Sequence, residues 1–141
     1  MPTVLLTRPR DDCEDLARRL KDMGYAAVIE PLLAIVPVEA PAPGAEGIQA
    51  VMMTSAHALE FAKREALERF LRLPCFCVGS RTAAAAHAFG FAQVVDSGGD
   101  GPALAQLIAR RLRPEDGAVL HMAGRDTDAK AREELERQGF S

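Results

Sequence analysis

The sequence predicts an α/β fold built on a doubly wound parallel sheet. Short apolar runs alternate with Ala- and Leu-rich helical stretches, and each run breaks at a turn rich in Ser, Thr or Gly. This rhythm occurs four times after residue 50. Strands that alternate with helices are typical of parallel sheets covered by helices on both faces. In such a fold the turns that follow the strands lie along one edge of the sheet.

The first part of the chain predicts two strands and one helix. The apolar run at residues 3–6 is typical of a buried parallel strand. Pro9 breaks this run, and Asp11 or Asp12 is expected to cap a helix that extends to about Met23, with Gly24 after it. A second strand is predicted at residues 25–29. Residues 31–37 are apolar but bracketed by prolines, which favours an extended crossing strand over a helix.

A linker follows, and the repeated rhythm begins after it. Residues 39–47 contain Pro41, Pro43, Gly44 and Gly47, a composition typical of loops. We therefore expect a domain boundary there. Beyond it the pattern predicts helices at about residues 55–70, 81–89, 101–112 and 127–138, with Pro102 suited to a first helical turn.

Composition excludes several classes of protein. The 141 residues are 48% hydrophobic, enough for a real core, and carry a net charge of −3. That charge gives no reason to expect nucleic acid or an anionic membrane as a partner. No apolar run approaches the roughly 20 residues of a membrane helix. The odd count of 3 cysteines suits a reducing compartment, so we expect a cytoplasmic protein.

The turns after the predicted strands have the composition of an anion site. Thr54 and Ser55 follow one strand, and Gly79-Ser80-Arg81-Thr82 follow the next. Hydroxyls, helix amides and a bidentate Arg suit a carboxylate or phosphate, although ordinary helix capping explains each turn as well. The loop at residues 96–101 could also hold an anion. It lacks the spacing of an EF-hand calcium loop.

Other common sites are not written in this chain. There is no G-x-G-x-x-G, Walker A or G-x-S-x-G motif. Cys75 and Cys77 have no second ligand pair, so core packing is favoured over zinc. His57, His87 and His121 are scattered and are each interpreted as structural or surface imidazoles. We expect neither a metal nor a set of acid–base catalysts.

Several short motifs, in order, resemble the uroporphyrinogen-III synthase family. They are Val4-Leu5-Leu6-Thr7-Arg8-Pro9, Pro31-Leu32-Leu33-Ala34-Ile35, Thr54-Ser55-Ala56-His57-Ala58, Val78-Gly79-Ser80-Arg81-Thr82-Ala83, Ala103-Leu104-Ala105 and Val119-Leu120-His121-Met122-Ala123-Gly124. Their order and spacing are more specific than any one of them. The resemblance covers essentially the whole chain.

The resemblance implies two α/β domains, the first of them discontinuous. Residues 1–36 would be the incomplete first part of domain 1, residues 37–47 the linker, and residues 48–141 a flavodoxin-like domain 2 that lacks its return strand. The family cyclises the linear tetrapyrrole hydroxymethylbilane to uroporphyrinogen III, with loss of water and inversion of ring D. It uses no cofactor. Because the rest of domain 1 is missing, we expect little synthase activity from these residues alone.

The resemblance also implies which residues bind the substrate. They would hold the acetate and propionate groups of the tetrapyrrole, whereas no catalytic residue is assigned. The expected substrate-binding residues are Thr7, Arg8, Thr54, Ser55, Gly79, Ser80, Arg81, Thr82, Ser97 and Gly98.

Two other hypotheses remain open from the sequence. One is a non-enzymatic, flavodoxin-like module that binds an anion or another small molecule. The other is a structural role in which a second copy of the chain pairs with its incomplete sheet edges, giving a homodimer.

Overall fold

The structure is a computed structural model that describes all 141 residues. The chain forms two compact units, Met1–Pro37 and Val38–Ser141. No helix in either unit has both the length and the apolar character needed to cross a membrane.

The first unit contains two parallel strands and one helix. Strand β1 (Thr3–Leu6) pairs in parallel with β2 (Ala26–Ile29), and helix α1 (Arg10–Asp22) connects them. Leu6 of β1 and Cys13 of α1 are buried. Gly24 has a φ of 84°, so it takes the left-handed conformation that lets the chain leave α1.

Three predictions for the first unit are wrong. β1 is not a buried strand, because only one of its four residues is buried and Leu5 is 60% exposed. No Asp side chain caps α1, because Pro9 occupies the capping position and both acidic residues lie inside the first turn. Asp12 is buried there, and Arg8 approaches its carboxylate at 3.6 Å. The expected crossing strand at residues 31–37 also does not form, because that segment has no neighbouring strand with which to pair.

The second unit is built on a four-stranded sheet with the order β5-β4-β3-β6. All three pairings are parallel, which confirms the predicted fold class. Five helices in the chain complete the architecture. In the second unit the elements are β3 (Ile48–Met53), α2 (Arg64–Leu67), β4 (Pro74–Cys77), α3 (Gly79–Phe89), β5 (Gln93–Asp96), α4 (Gly101–Arg111), β6 (Ala118–Met122) and α5 (Lys130–Arg137).

Both faces of this sheet are covered. Val51 and Met53 of β3 pack on one face in a cluster that includes residues of α2 and α3. Ala50 and Met52 point to the other face and pack with α4 and α5. Successive residues of a strand point to opposite faces, so a strand buried on both must be apolar at every position. β3 meets this requirement from Ala50 to Met53.

Helices predicted at both ends of this unit differ from the observed ones. The helix expected at residues 55–70 is broken into a 3₁₀ turn (Ala56–Leu59), the short α2 and a second 3₁₀ turn (Glu68–Phe70). The break occurs because Lys63 has extended backbone angles, φ −81° and ψ 125°. The helix expected at 127–138 begins later, since Asp128 accepts a hydrogen bond from the Lys130 amide and closes a turn first.

Gly117 provides a direct test of how β6 is attached to β3. Its φ is 143°, and a Cβ added there would lie 2.5 Å from the carbonyl oxygen of Gly47. Gly117→Ala therefore combines backbone strain with a clash against main chain. We expect it to lower the free energy of unfolding by about 3 kcal/mol, measured by urea denaturation.

Gly44→Ala is the matched control for this variant. Gly44 has an ordinary φ and nothing lies within 4 Å of its added Cβ. It should unfold like the parent chain. Equal stability of the two variants would show that the approach of Gly117 to Gly47 does not constrain the sheet.

Candidate ligand-binding site

The carboxyl edge of the four-stranded sheet carries the turns singled out from the sequence. Because β3, β4, β5 and β6 are parallel, the turns that follow them leave the sheet at the same edge. The chain proceeds from β3 through β4 to β5 and then returns to place β6 on the other side of β3. Ligands of open α/β sheets bind at such a reversal of strand order. Here the reversal lies between the ends of β3 and β6.

The turn after β3 presents two hydroxyls. Thr54 is half-buried and Ser55 is exposed. The Ser55 Oγ accepts a hydrogen bond of 3.2 Å from the His57 amide, so Ser55 does cap the turn that follows. The His57 Nδ1 lies 2.9 Å from the Glu60 Oε2. A hydroxyl that accepts one hydrogen bond keeps its own hydrogen to donate, so Ser55 can still serve a ligand.

The turn after β4 leads directly into α3. Gly79, with a φ of 77°, makes the turn, and nothing lies within 4 Å of the place where its Cβ would be. No side chain caps the amides of the first turn of α3. Ser80 and Arg81 are exposed beside these amides, whereas Thr82 is 5% exposed. The helix start thus offers amides, a hydroxyl and a guanidinium together, which favours an anion.

The turn after β5 is less suited to an anion. The Gly98 amide already donates to Asp96 at 2.8 Å, and the Ser97 hydroxyl accepts from the Gly99 amide at 3.4 Å. Asp100 caps α4 by accepting from the Ala103 amide at 3.0 Å. The donor expected from Gly98 is therefore already used, and two carboxylates lie at this turn.

Thr7 and Arg8 belong to the first unit. The Thr7 carbonyl accepts a hydrogen bond of 3.0 Å from the Leu32 amide. The Arg8 guanidinium lies 3.6 Å from Asp12, and the Arg8 carbonyl accepts from the Cys13 thiol at 3.2 Å. The ion pair leaves the Arg8 side chain largely exposed, at 69%. These two residues follow β1 just as Thr54 and Ser55 follow β3.

Sequence reasoning missed His121. Its Nε2 lies 3.4 Å from the Thr54 Oγ1, across the boundary between β6 and β3. A cavity beside it is lined by Met52, Arg132, Glu136 and Ser141, among other residues. Burial lowers the pKa of His121 below its ordinary 6.5, and the positive charge of Arg132 lowers it further. The only available signal was the position of His121 near the end of a strand.

The uroporphyrinogen-III synthase HemD family matches residues 14–141. This chain belongs to that family. Its structure is similar to that of uroporphyrinogen III synthase from the extremely thermophilic bacterium Thermus thermophilus, with a TM-score of 0.52 and 18% sequence identity. The match covers 100% of this chain and 59% of the Thermus chain, so the chain spans about three-fifths of that protein's length. No curated protein matches the sequence.

In this member of the uroporphyrinogen-III synthase family, the cysteine pair lies in the core. Cys75 and Cys77 are both fully buried, with their sulfur atoms 3.8 Å apart on the same face of β4. The hydrogen bond between them and their burial raise the pKa of Cys75. Nowhere in the chain do three or more His, Cys, Asp or Glu residues lie close enough together to hold a metal ion.

The lowered pKa of His121 predicts a pH dependence of stability. The folded state disfavours the imidazolium, so the unfolded chain binds more protons as the pH falls through 6.5. The contribution of His121 to stability is present above pH 6.5 and is lost on acidification below it. We expect the free energy of unfolding to fall less steeply between pH 7.5 and about pH 5.5 in His121→Gln.

The measurement is urea unfolding at several pH values for the parent and His121→Gln. His87→Gln is the control, since His87 is exposed on α3. If the free energy of unfolding depends on pH in the same way in all three chains, the pKa of His121 is not lowered in the folded state.

Proposed function

We propose that this chain forms part of a uroporphyrinogen-III synthase, a lyase of tetrapyrrole and haem biosynthesis. The enzyme would cyclise hydroxymethylbilane to uroporphyrinogen III, eliminating water and inverting ring D. The substrate is a flexible polycarboxylate whose own pyrrole nitrogen can expel the hydroxyl group. The protein then has to fold the substrate, hold its carboxylates and stabilise developing charge, without a cofactor.

The observation that carries this proposal is the row of donors at the carboxyl edge of the second unit. The start of α3 combines uncapped amides with the Ser80 hydroxyl and the Arg81 guanidinium. Thr54 and Ser55 add hydroxyls at the end of the neighbouring strand. Several separate donors along one edge suit a ligand with several carboxylates better than a ligand with a single anionic group.

The proposed binding residues are not equal in what they can donate. The candidates at the edge that carry side-chain or backbone donors are Thr54, Ser55, Gly79, Ser80 and Arg81. Thr82 is a weak candidate, because its side chain is buried and its amide is the fourth of α3, which donates within the helix. Ser97 and Gly98 are the weakest candidates, because Asp96 already accepts from the Gly98 amide.

Thr7 and Arg8 are proposed to contact the substrate from the first domain. In this proposal residues 1–36 open domain 1, residues 37–47 form the linker, and residues 48–141 form domain 2. The chain covers 59% of the solved relative, which supports a requirement for further parts of the protein. Little type III product is therefore expected from these 141 residues alone.

Turnover of hydroxymethylbilane, with product isomers separated, tests the proposed activity. The chain should release only the spontaneous type I isomer. The same chain extended by the part of the Thermus synthase that lies outside the match should release type III. If the extended chain folds, binds uroporphyrin I and still gives only type I, the proposed activity is wrong.

Arg81 should be important for holding the ligand. Arg81→Gln removes a charged donor beside the start of α3, and a hydrogen bond to a charged group contributes about 1.5–3 kcal/mol. We expect uroporphyrin I to bind about tenfold to a hundredfold more weakly, measured by fluorescence titration. Arg111→Gln is the control, because Arg111 is exposed at the C-terminal end of α4, away from the edge that carries the start of α3. Equal losses in both variants would indicate a response to net charge rather than a site.

The family match does not favour the non-enzymatic binding module. Binding of phosphate without binding of any tetrapyrrole would be the result that favours the binding module. A homodimer that forms through incomplete sheet edges, and residence in the cytoplasm, stay predictions. Sedimentation at several concentrations addresses the first.

A further inference from the structure

His121 and Thr54 meet at the reversal of strand order. In the register of β3 with β6, His121 lies opposite Met52, and Thr54 follows two residues later on the same side of β3. The Thr54 Oγ1 and the His121 Nε2 are 3.4 Å apart, and both residues are half-buried. The contact thus lies at the edge where the proposed ligand binds, between the two strands that define the reversal.

The direction of this hydrogen bond decides what Thr54 can offer a ligand. A threonine hydroxyl has a single hydrogen. If the His121 Nε2 carries no hydrogen, the hydroxyl donates to it and presents only lone pairs to the edge. If Nε2 carries a hydrogen, the hydroxyl accepts it, and the hydroxyl hydrogen is released for a carboxylate.

We propose that His121 is a positioning residue that sets the direction of the Thr54 hydroxyl, so that binding of a carboxylate at this edge is linked to protonation of the His121 Nε2. This role rests on the proposed function, in which Thr54 contacts the substrate. A carboxylate needs the hydroxyl hydrogen, and it therefore favours the forms of His121 that carry a hydrogen at Nε2. The imidazolium always carries one.

The charged groups around His121 are consistent with this linkage. Arg132 and Glu136 of α5 line the cavity beside it and lie 3.6 Å from each other. The neighbouring positions of β3 and β6, Met52 and Val119, are apolar. Burial and Arg132 keep the pKa of the free imidazole low. A ligand carboxylate beside Thr54 would oppose both effects.

The first readout is the nitrogen resonance of His121 in the ¹⁵N-labelled chain at pH 7.5. Addition of uroporphyrin I, the octacarboxylate probe, should move Nε2 from the unprotonated toward the protonated range. Thr54→Val should remove most of that movement, because no hydroxyl remains to be oriented. An unchanged Nε2 resonance in the presence of bound uroporphyrin I would overturn the proposal.

The second readout is the pH dependence of affinity. Uroporphyrin I should bind the parent chain about tenfold more tightly at pH 5.5 than at pH 8. His121→Gln keeps a side-chain N–H that can donate to Thr54, so it should bind at all pH values with a flatter profile. His121→Leu removes the acceptor that competes for the Thr54 hydroxyl hydrogen, so its profile should be flat as well. His87→Gln, as the control for loss of an imidazole elsewhere, should follow the parent, and the His121→Gln profile accounts for titration of the probe itself.

The outcomes separate the two proposals. If uroporphyrin I binds but parent and His121→Gln share one pH profile, the linkage of binding to protonation of His121 is overturned while the binding site stands. If uroporphyrin I does not bind to any chain, the proposed function itself fails, and the linkage fails with it.

Discussion

The pairing of β3 with a parallel neighbour on each side is the interaction on which the second unit depends. β4 and β6 both hydrogen-bond to β3, and residues 50–53 of β3 are at most 2% exposed. Each of these side chains packs against a helix-covered face, and Val51, Met52 and Met53 are paired with both neighbouring strands. Removal of either neighbour would leave buried amides unpaired, at a cost of about 1–3 kcal/mol for each.

The same pairing determines where the chemistry can occur. Parallel strands bring the ends of β3, β4, β5 and β6 to one edge, and that edge therefore collects the starts of α3 and α4. The two helix starts differ in whether a side chain accepts from their first amides. Asp100 satisfies the amides of α4 with a carboxylate, whereas α3 begins at Gly79 without a side-chain cap. The capacity to bind an anion is thus concentrated where β4 ends.

Those parts of the fold that depend on local sequence could be predicted. Pro102 lies in the first turn of α4, as expected, and Gly90 ends α3 in the left-handed conformation, with a φ of 118°. The break in the helix expected at residues 55–70 could not be predicted from the local sequence. Leu59, Leu67 and Phe70 are buried, and their spacing also suits one continuous helix, so the apolar pattern carries no signal of the extended backbone at Lys63. The stretch at 31–37 has the composition of a strand, but a strand also needs a partner.

The candidate site was predictable only in its hydroxyls, amides and Arg81. Those residues follow strands directly, so the fold class alone places them at the edge. His121 could not be found in the same way, because its importance depends on the register between β3 and β6, strands separated by 64 residues in sequence. A shift of that register by one residue would move the His121 side chain to the other face of the sheet, away from Thr54. The burial of Thr82 likewise depends on how α3 lies against the sheet.

A net charge of −3 does not prevent this edge from holding a polycarboxylate. At physiological ionic strength, exposed charges are largely screened beyond about 8 Å, so acidic residues elsewhere on the surface contribute little there. Donors in direct contact act at about 3 Å and in a lower effective dielectric. The local donors are the amides at the start of α3, Arg81 and the hydroxyls of Thr54 and Ser55. The Asp96 carboxylate, which accepts from the Gly98 amide, opposes them at the next turn. Under the proposed function, a ligand that extends from the end of β4 toward β6 would meet these donors and then the Thr54–His121 pair, where the proposed linkage would let its carboxylate favour a protonated Nε2.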